Sequence, residues 1–311
     1  MSEMKYADNI ISRARALTPE IRAKVEAQLK QKRSTLESTH LMTVDDEMMK
    51  GFFYVDCNWL WSGSAQDTIE ESHVHDFGEV IGFIGSNRDD PHDLGGEIVI
   101  WLDGREEVLT RSCLIYVPAG TVHCPILFKR IDTPVFYVSI APEDIYKRKL
   151  VDGTAITAGG HGSRNYSIIT ATNERFNVAA SGEGIHEPTP RDPSLKSARI
   201  LHLEDDIVKG AFYVDFVWIY EGSGAAPAPE HSHEWPEVIA MAGCDPELPR
   251  HLGGRMSIVL DGETHIIEKS SLVCIPAGLS HCPWKFLDIK KPTLVFSTGP
   301  QGMYTGTHKK D

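Results

Sequence analysis

An internal repeat constrains the fold of this chain more than any other feature of its sequence. The segment KGFFYVDCNW begins at Lys50 and returns as KGAFYVDFVW at Lys209, 159 residues later. The segment LGGEIVIWLDG begins at Leu94 and returns as LGGRMSIVLDG at Leu252, 158 residues later. Solenoid units repeat about every 20–50 residues, so this period is too long for one. The repeat therefore predicts a duplicated whole domain.

Each copy consists of short β-rich segments separated by turn residues. In the first copy, GEIVIWL ends at Asp103-Gly104, a pair that favours a tight hairpin. Asp261-Gly262 closes the equivalent segment of the second copy in the same way. Several short strands at this spacing predict a mainly β fold, an antiparallel sandwich or barrel in each copy.

Two regions lie outside the copies. Thr18 is a candidate N-cap and Pro19 suits the first helical position, so we expect a helix that ends near Lys32. The stretch between the copies reads as a long, mostly irregular linker, either a spacer or a cover for a barrel mouth. The predicted segments are an N-terminal helical extension (1–39), barrel 1 (40–142), the linker (143–198), barrel 2 (199–300) and a C-terminal tail (301–311).

Composition excludes several classes of partner. The net charge is −13, which opposes binding to nucleic acid and to an anionic membrane surface. There is no run of about 18 apolar residues that could span a bilayer, and the N-terminus lacks the apolar core of a secretory signal. We therefore expect a cytoplasmic protein whose six cysteines are reduced thiols.

Each copy contains the same pattern of histidine and glutamate. Two histidines are two residues apart, a glutamate follows four residues later, and a third histidine comes 44 residues after the glutamate. The members are His73, His75, Glu79 and His123 in copy one, and His231, His233, Glu237 and His281 in copy two.

This pattern predicts two metal sites. Side chains at i and i+2 of a strand share a face, so both histidines of each pair can project into a barrel. Three imidazoles and one carboxylate suit a divalent first-row metal and leave about two positions of an octahedron open. A lone His-x-His would be unremarkable, but two complete matching sets argue against unrelated histidines.

The motifs that carry these residues resemble those of the cupin superfamily. HVHDFGEVIGFIG and HSHEWPEVIAMAG resemble its first motif, and PAGTVH and PAGLSH resemble its second. The sequence departs from these motifs in two ways: Ser112 and Ser270 stand where the family usually has glycine, and no asparagine lies four residues after the last histidine. With these departures the chain matches no particular subfamily. The resemblance implies two tandem cupin-type barrels of the double-stranded β-helix or jelly-roll kind, hence a bicupin. It implies the eight residues above as ligands of up to two iron, manganese, nickel, copper or zinc ions per chain.

Other recurring residues receive structural interpretations. Cys124 and Cys282 each follow the last histidine, so strand alternation predicts buried thiols that point away from the metal. Trp59 and Trp218 recur as core aromatics. Asp56 and Asp215 are polar residues within apolar strands, so each needs a hydrogen-bond partner. We expect His92 and His251 at the surface.

The resemblance favours a metal-dependent enzyme acting on a small, anionic or chelating organic molecule. A dioxygenase-type oxidoreductase is the main hypothesis, with a metal-dependent isomerase, decarboxylase or lyase as the alternative. A non-enzymatic small-molecule-binding cupin is a further alternative, and a homo-oligomer built through the N-terminal helix is a third role. No general acid or base can be assigned from the residues, because neither reach nor pKa is readable from sequence.

Overall fold

The structure is a computed structural model that describes residues 4–30, 33–66, 70–151, 164–171, 194–226, 228–304 and 307–308. Much of the predicted linker, 152–163 and 172–193, lies outside the described residues. The described part is mainly β, as predicted, and its strands form two curled antiparallel sheets of 11 strands each. No helix within it is both long enough and apolar enough to cross a lipid bilayer.

The N-terminal region contains the predicted helix and two further elements. Helix α1 (Pro19–Lys30) is the one α-helix of the described residues, and the Thr18 hydroxyl accepts a hydrogen bond of 3.3 Å from the Ile21 amide. This bond confirms Thr18 as the N-cap. Before α1 come a short 3-10 helix (Ala7–Asn9) and strand β1 (Ile10–Ile11), neither of which the sequence pattern indicated.

The first sheet contains strands from copy one and from the segment that follows it. These strands are β2 (Glu37–Val44), β3 (Tyr54–Ala65), β4 (His73–Val74), β5 (Glu79–Gly85), β6 (Asp93–Leu102), β7 (Arg105–Arg111), β8 (Cys113–Val117), β9 (His123–Ile131), β10 (Val135–Ala141), β11 (Lys149–Leu150) and β12 (Ser167–Ile169). Strand β3 pairs along its first half with β10 and near its end with β9, so one long strand belongs to both halves of the barrel.

The second sheet repeats this arrangement. Its strands are β1, β13 (Leu195–Leu203), β14 (Val214–Ala225), β15 (His231–Ser232), β16 (Glu237–Gly243), β17 (His251–Leu260), β18 (Glu263–Lys269), β19 (Ser271–Ile275), β20 (His281–Ile289), β21 (Thr293–Thr298) and β22 (Thr307–His308). Here β14 pairs with β21 and then with β20, as β3 does with β10 and β9.

Both predicted hairpins are present. Asp103 and Gly104 join β6 to β7 with φ angles of 50° and 75°, and Asp261 and Gly262 join β17 to β18 with 47° and 80°. Positive φ at both turn residues is the type I′ geometry, whose twist matches that of the flanking strands.

The two tryptophans predicted as core aromatics are buried, although neither belongs to the main apolar cluster of its barrel. Trp59 and Trp218 are almost completely buried. The Trp59 ring stacks on Trp61 at a centroid distance of 5.0 Å and meets Phe136 edge-on at 5.1 Å. Such packing fixes the middle of β3 against β10, and so fixes the frame from which the histidines project.

Contacts divide the described residues into two compact units. One contains those within 14–40 and 54–170, and the other those within 1–13, 41–53 and 171–311. Each unit extends its sheet with a short strand from outside its own repeat. In the first, β12 pairs with β8, and in the second, β1 pairs with β19, with Ile10 opposite Val273. The five segment boundaries predicted from the sequence stay a prediction.

Candidate metal centres

The four residues predicted as ligands in barrel 1 lie together. His73 is on β4, Glu79 begins β5 and His123 begins β9, where it pairs directly with His73. One nitrogen or oxygen of each of the four residues, His75 included, lies within 4.8 Å of the others. None of the four is more than 5% exposed. The strand ends at this side of the barrel therefore form one buried cluster.

Barrel 2 forms the equivalent cluster. His231 on β15 pairs with His281 on β20, and Glu237 begins β16. One nitrogen or oxygen of each of these residues, His233 included, lies within 4.8 Å of the others, and all four side chains are buried. The structure thus has two buried four-residue sites with the composition of a metal centre.

Backbone contacts orient all six imidazoles in the same way. The Nδ1 atom of His73 lies 2.7 Å from the Glu71 carbonyl oxygen, to which Nδ1–H donates a hydrogen bond. The other five histidines make the same contact with a carbonyl two residues away: His75 with Phe77, His123 with Thr121, His231 with Pro229, His233 with Trp235 and His281 with Leu279. A proton on Nδ1 leaves the Nε2 lone pair to face the cluster, as a metal-binding histidine requires.

The Nε2 atoms face an anionic oxygen. Glu79 Oε2 lies 3.0 Å from His75 Nε2 and 3.1 Å from His123 Nε2. In barrel 2, His281 Nε2 is 3.1 Å from Glu237 Oε2 yet buried without a hydrogen bond. Lone pairs and a carboxylate that face each other in a dry site are stabilised by a shared cation. The donor set and its orientation therefore fit a divalent transition metal.

The pKa values in both clusters are strongly perturbed. Burial and the charge of the neighbouring histidine together lower the pKa of His73 and of His231 to about 4. Burial alone would raise the pKa of Glu237, but the contacts with His233 and His281 outweigh it and hold the pKa at about 2. Glu79 is shifted in the same direction by His123 and His75. Each carboxyl is therefore ionised at neutral pH, as ligation requires.

Each cluster is closed by a tyrosine that sequence reasoning missed. Tyr146 Oη lies 3.0 Å from His73 Nε2 and 3.3 Å from Glu79 Oε2. Tyr304 Oη lies 2.5 Å from His231 Nε2. Burial, reinforced by the charge of the nearby glutamate, raises the pKa of both phenols far above the usual range, so in the absence of metal both are neutral donors.

A signal for these tyrosines was present in the sequence. They are 158 residues apart, the offset that relates the second halves of the two copies. Their segments read APEDIY and GPQGMY. The predicted barrels end at residues 142 and 300, which places Tyr146 in the predicted linker and Tyr304 in the predicted tail. Extending each barrel by four residues would have paired them.

Residues next to the ligands differ between the barrels. Phe77 stacks on His75 with ring centroids 4.2 Å apart, and Trp235 stacks on His233 at 3.8 Å. The Ser139 hydroxyl donates a hydrogen bond of 2.5 Å to Glu79 Oε1. Its repeat equivalent, Ser297, instead shares a hydrogen bond of 2.8 Å with the Tyr213 hydroxyl.

The other residues singled out in the sequence have the following places. Cys124 and Cys282 are buried, but their φ angles of 66° and 71° break the strand alternation on which their predicted orientation rested. The charge of Glu79 adds to burial in raising the pKa of the Cys124 thiol, so this thiol is electrostatically coupled to the cluster. The two aspartates predicted to need hydrogen-bond partners have them: His40 contacts Asp56, and Arg199 contacts Asp215. Neither His92 nor His251 belongs to either cluster.

Comparison with known proteins identifies the architecture. No protein-family model matches the chain, and no curated protein matches it in sequence. Solved structures do match. An oxalate decarboxylase aligns over 89% of this chain and 77% of its own, with a TM-score of 0.51 and 11% identity. The chain has the bicupin fold.

Two further matches are of the same kind. The Bacillus subtilis oxalate decarboxylase with Mn(II) centres has a TM-score of 0.50 at 12% identity, over 89% of this chain and 77% of its own. The Lactobacillus farciminis oxalate decarboxylase, in a formate complex, has the same TM-score and identity and is covered over 86% of its length. The predicted bicupin resemblance is confirmed, and the three structures compared above are oxalate decarboxylases rather than dioxygenases.

Proposed function

We propose that this bicupin binds two divalent transition-metal ions per chain and acts on a small carboxylate in a decarboxylase- or lyase-type reaction. The observation that carries the proposal is the set of six imidazoles whose Nδ1–H groups are tied to backbone carbonyls, which leaves the Nε2 lone pair of each ring available to a metal. A site pre-set in this way binds a metal with little reorganisation. The bound metal supplies a Lewis acid that fixes an anionic oxygen and stabilises charge developing on it.

The ligands proposed in barrel 1 are His73, His75, Glu79 and His123, and those in barrel 2 are His231, His233, Glu237 and His281. Manganese is a natural first choice because the structurally similar oxalate decarboxylase carries Mn(II) centres. Oxalate is the first substrate to test for the same reason. Fold similarity at this identity does not transfer an activity, so the support comes from the site itself.

Side chains around the clusters prepare the site in two ways. Ser139 binds the Glu79 oxygen that faces away from the histidines, which holds the carboxylate in a single orientation. Phe77 and Trp235 lie flat against one imidazole of each cluster and help to exclude water. A dry site strengthens the electrostatic interactions made with a bound carboxylate.

The test combines metal content with product analysis. We expect two equivalents of metal per chain, one equivalent in Glu79→Gln or Glu237→Gln, and two in the control His251→Ala, which changes an exposed histidine. The manganese-loaded protein should release carbon dioxide from oxalate or another short carboxylate, and the release should fall in at least one glutamate variant. Absence of metal uptake would refute the proposal at its first step.

A non-enzymatic small-molecule-binding cupin is the second candidate. It is favoured by the closure of each cluster by Tyr146 or Tyr304, because a fully enclosed metal has fewer positions for a substrate. Two tightly bound equivalents without turnover of any tested carboxylate would support this candidate. A homo-oligomer built through α1 stays a prediction, to be tested by the solution mass of variants with charged substitutions on that helix.

A further inference from the structure

We infer that Tyr146 in barrel 1 and Tyr304 in barrel 2 each supply a fifth, phenolate ligand to the metal. The inference rests on the proposed metal binding and deepens it, since a fifth protein ligand changes what a substrate can occupy.

Distances in barrel 1 carry the argument. Atoms bound to one metal in adjacent positions lie about 3 Å apart, because bonds of about 2.1 Å meet near right angles. Glu79 Oε2 lies 3.0 and 3.1 Å from the Nε2 atoms of His75 and His123. Tyr146 Oη lies 3.0 Å from His73 Nε2 and 3.3 Å from the same Glu79 oxygen. The phenol oxygen is therefore spaced from His73 and Glu79 much as Glu79 is spaced from His75 and His123.

In barrel 2 a tyrosine contacts the equivalent histidine from a segment with different flanking residues. Glu237 Oε2 lies 3.2 Å from His233 Nε2 and 3.1 Å from His281 Nε2, and Tyr304 Oη lies 2.5 Å from His231 Nε2. The three residues before each tyrosine are EDI in one copy and QGM in the other. The residues before the two tyrosines differ, yet each phenol oxygen contacts the equivalent histidine of its cluster. This indicates that the oxygen itself is what the site uses.

The backbone and neighbouring rings hold each tyrosine in place. Tyr146 lies between β10 and β11, and β11 pairs with the strand of the first histidine, Leu150 opposite His73. In barrel 2, β22 pairs with β15 in the same way. The Tyr146 ring packs at 4.8 Å from Tyr54, and the Tyr304 ring at 5.0 Å from Tyr213. Each phenol is thus presented from a segment anchored at both ends, as a preorganised ligand needs.

Ligation has a defined chemical balance. The phenol O–H bond breaks as the oxygen binds the metal, and the proton leaves to solvent, as with any ligand that binds in its deprotonated form. Five protein ligands leave about one position of an octahedron open rather than two. A substrate would then bind through a single oxygen, which disfavours chelating diols and favours simple carboxylates.

Ferric iron gives this ligand a spectroscopic signature. A phenolate bound to Fe(III) produces a charge-transfer band in the visible range that imidazole and carboxylate ligands do not. The full-length protein, stripped with chelator and loaded from ferric nitrilotriacetate, should show this band with two irons per chain. The band should fall by about half in Tyr146→Phe and in Tyr304→Phe and vanish in the double variant, as expected for independent sites.

A matched control separates ligation from packing. Tyr213→Phe keeps the ring that packs beside Tyr304 and removes only the hydroxyl that is hydrogen-bonded to Ser297. The iron-loaded variant should therefore show an unchanged band. Iron content measured on each sample shows that the metal is still bound when the band is lost. Two bound irons without a visible band in the wild-type protein, or a band that survives in the double variant, would overturn the inference. Loss of carboxylate turnover alone would refute only the proposed reaction, and absence of uptake of both manganese and iron would refute both proposals.

Discussion

Replacing Asp215 with asparagine should destabilise the unit that contains barrel 2 and should do so in a pH-dependent way. The Asp215 carboxylate accepts two hydrogen bonds of 2.7 Å, one from Nε and one from Nη2 of Arg199. His202 Nδ1 lies a further 3.4 Å from its Oδ1. The Asp215 and Arg199 side chains are 15% and 25% exposed, so the pair is mostly but not wholly removed from solvent.

The magnitude follows from this partial burial. Breaking a fully buried ion pair by removing one partner costs about 3–5 kcal/mol, whereas exposed pairs contribute about 0–1 kcal/mol. A bidentate pair with this exposure should lie between the two, so we expect Asp215→Asn to lower the free energy of unfolding by about 2–3 kcal/mol. In a unit of about 150 residues this corresponds to a fall in Tm of about 5–10 °C.

The pH dependence has a defined sign. Burial would raise the pKa of Asp215, but the charge of Arg199, the hydrogen bonds from Arg199 and the nearby His202 outweigh it and hold the pKa far below its usual value. A carboxyl with a depressed pKa contributes stability above its unfolded pKa, about 4, and loses it as the pH falls. The difference between wild type and Asp215→Asn should therefore narrow as the pH falls below about 4. Between pH 8 and 5 it should grow as the pH falls, because Asp215 also raises the pKa of His202 and stabilises its protonated form.

Thermal unfolding of the metal-free protein, with chelator present throughout, would measure this difference at pH 7, 5 and 4. The matched control is Asp56→Asn in the other repeat, where the partner is His40 at 2.6 Å, a side chain charged only when protonated. We expect a smaller loss at pH 7 in the control. A loss of unfolding free energy below about 0.5 kcal/mol in Asp215→Asn, as for an ordinary surface substitution, would refute this reasoning. A loss that persists undiminished at low pH would refute it too.

Three further outcomes are expected. Ser139→Ala should weaken metal binding in barrel 1 by about 10–100-fold in a chelator competition, because it frees the ligating glutamate, whereas Ser297→Ala should leave barrel 2 affinity unchanged. A thiol reagent should modify one cysteine per native chain rapidly, Cys244, because the other five are buried; rapid labelling of a second thiol would contradict the described packing. Gly85→Ala should cost about 1–3 kcal/mol of unfolding free energy, because its Cβ would lie 2.0 Å from a backbone oxygen. Gly120→Ala, at a φ of 79° with open space around it, should cost only about 1 kcal/mol in the same denaturation measurement.

The sequence was informative wherever a property is local. Alternation and turn chemistry predicted the β fold and both Asp-Gly hairpins, because a type I′ turn is specified by two adjacent residues. The N-cap at Thr18 was likewise readable. The eight clustered residues were found because the repeat displays each of them twice with the same spacing.

Long-range pairing was not readable. Ile10 and Ile11 look like an ordinary apolar pair, yet they form a strand opposite Val273 and Leu272. Nothing within 1–39 specifies a partner so far along the chain, since a two-residue strand has no periodicity of its own. The tyrosines were missed for a different reason: they belong to no strand and lie just beyond the ends that the sequence predicted for the two barrels.

The two clusters have the same proposed ligand set but different supports, and this bears on which of them would carry the proposed reaction. In barrel 1 Glu79 is fixed by Ser139, whereas in barrel 2 the equivalent Ser297 is engaged with Tyr213. A fixed carboxylate keeps its ligand geometry when a substrate binds, which favours precise positioning; a carboxylate without that serine bond can shift between binding modes, which favours ligand exchange. Because duplicated domains begin with identical sites, such a difference beside an unchanged ligand set is where a division of labour would arise. Comparing turnover in Glu79→Gln and Glu237→Gln, each with one metal site remaining, would show which barrel carries the reaction.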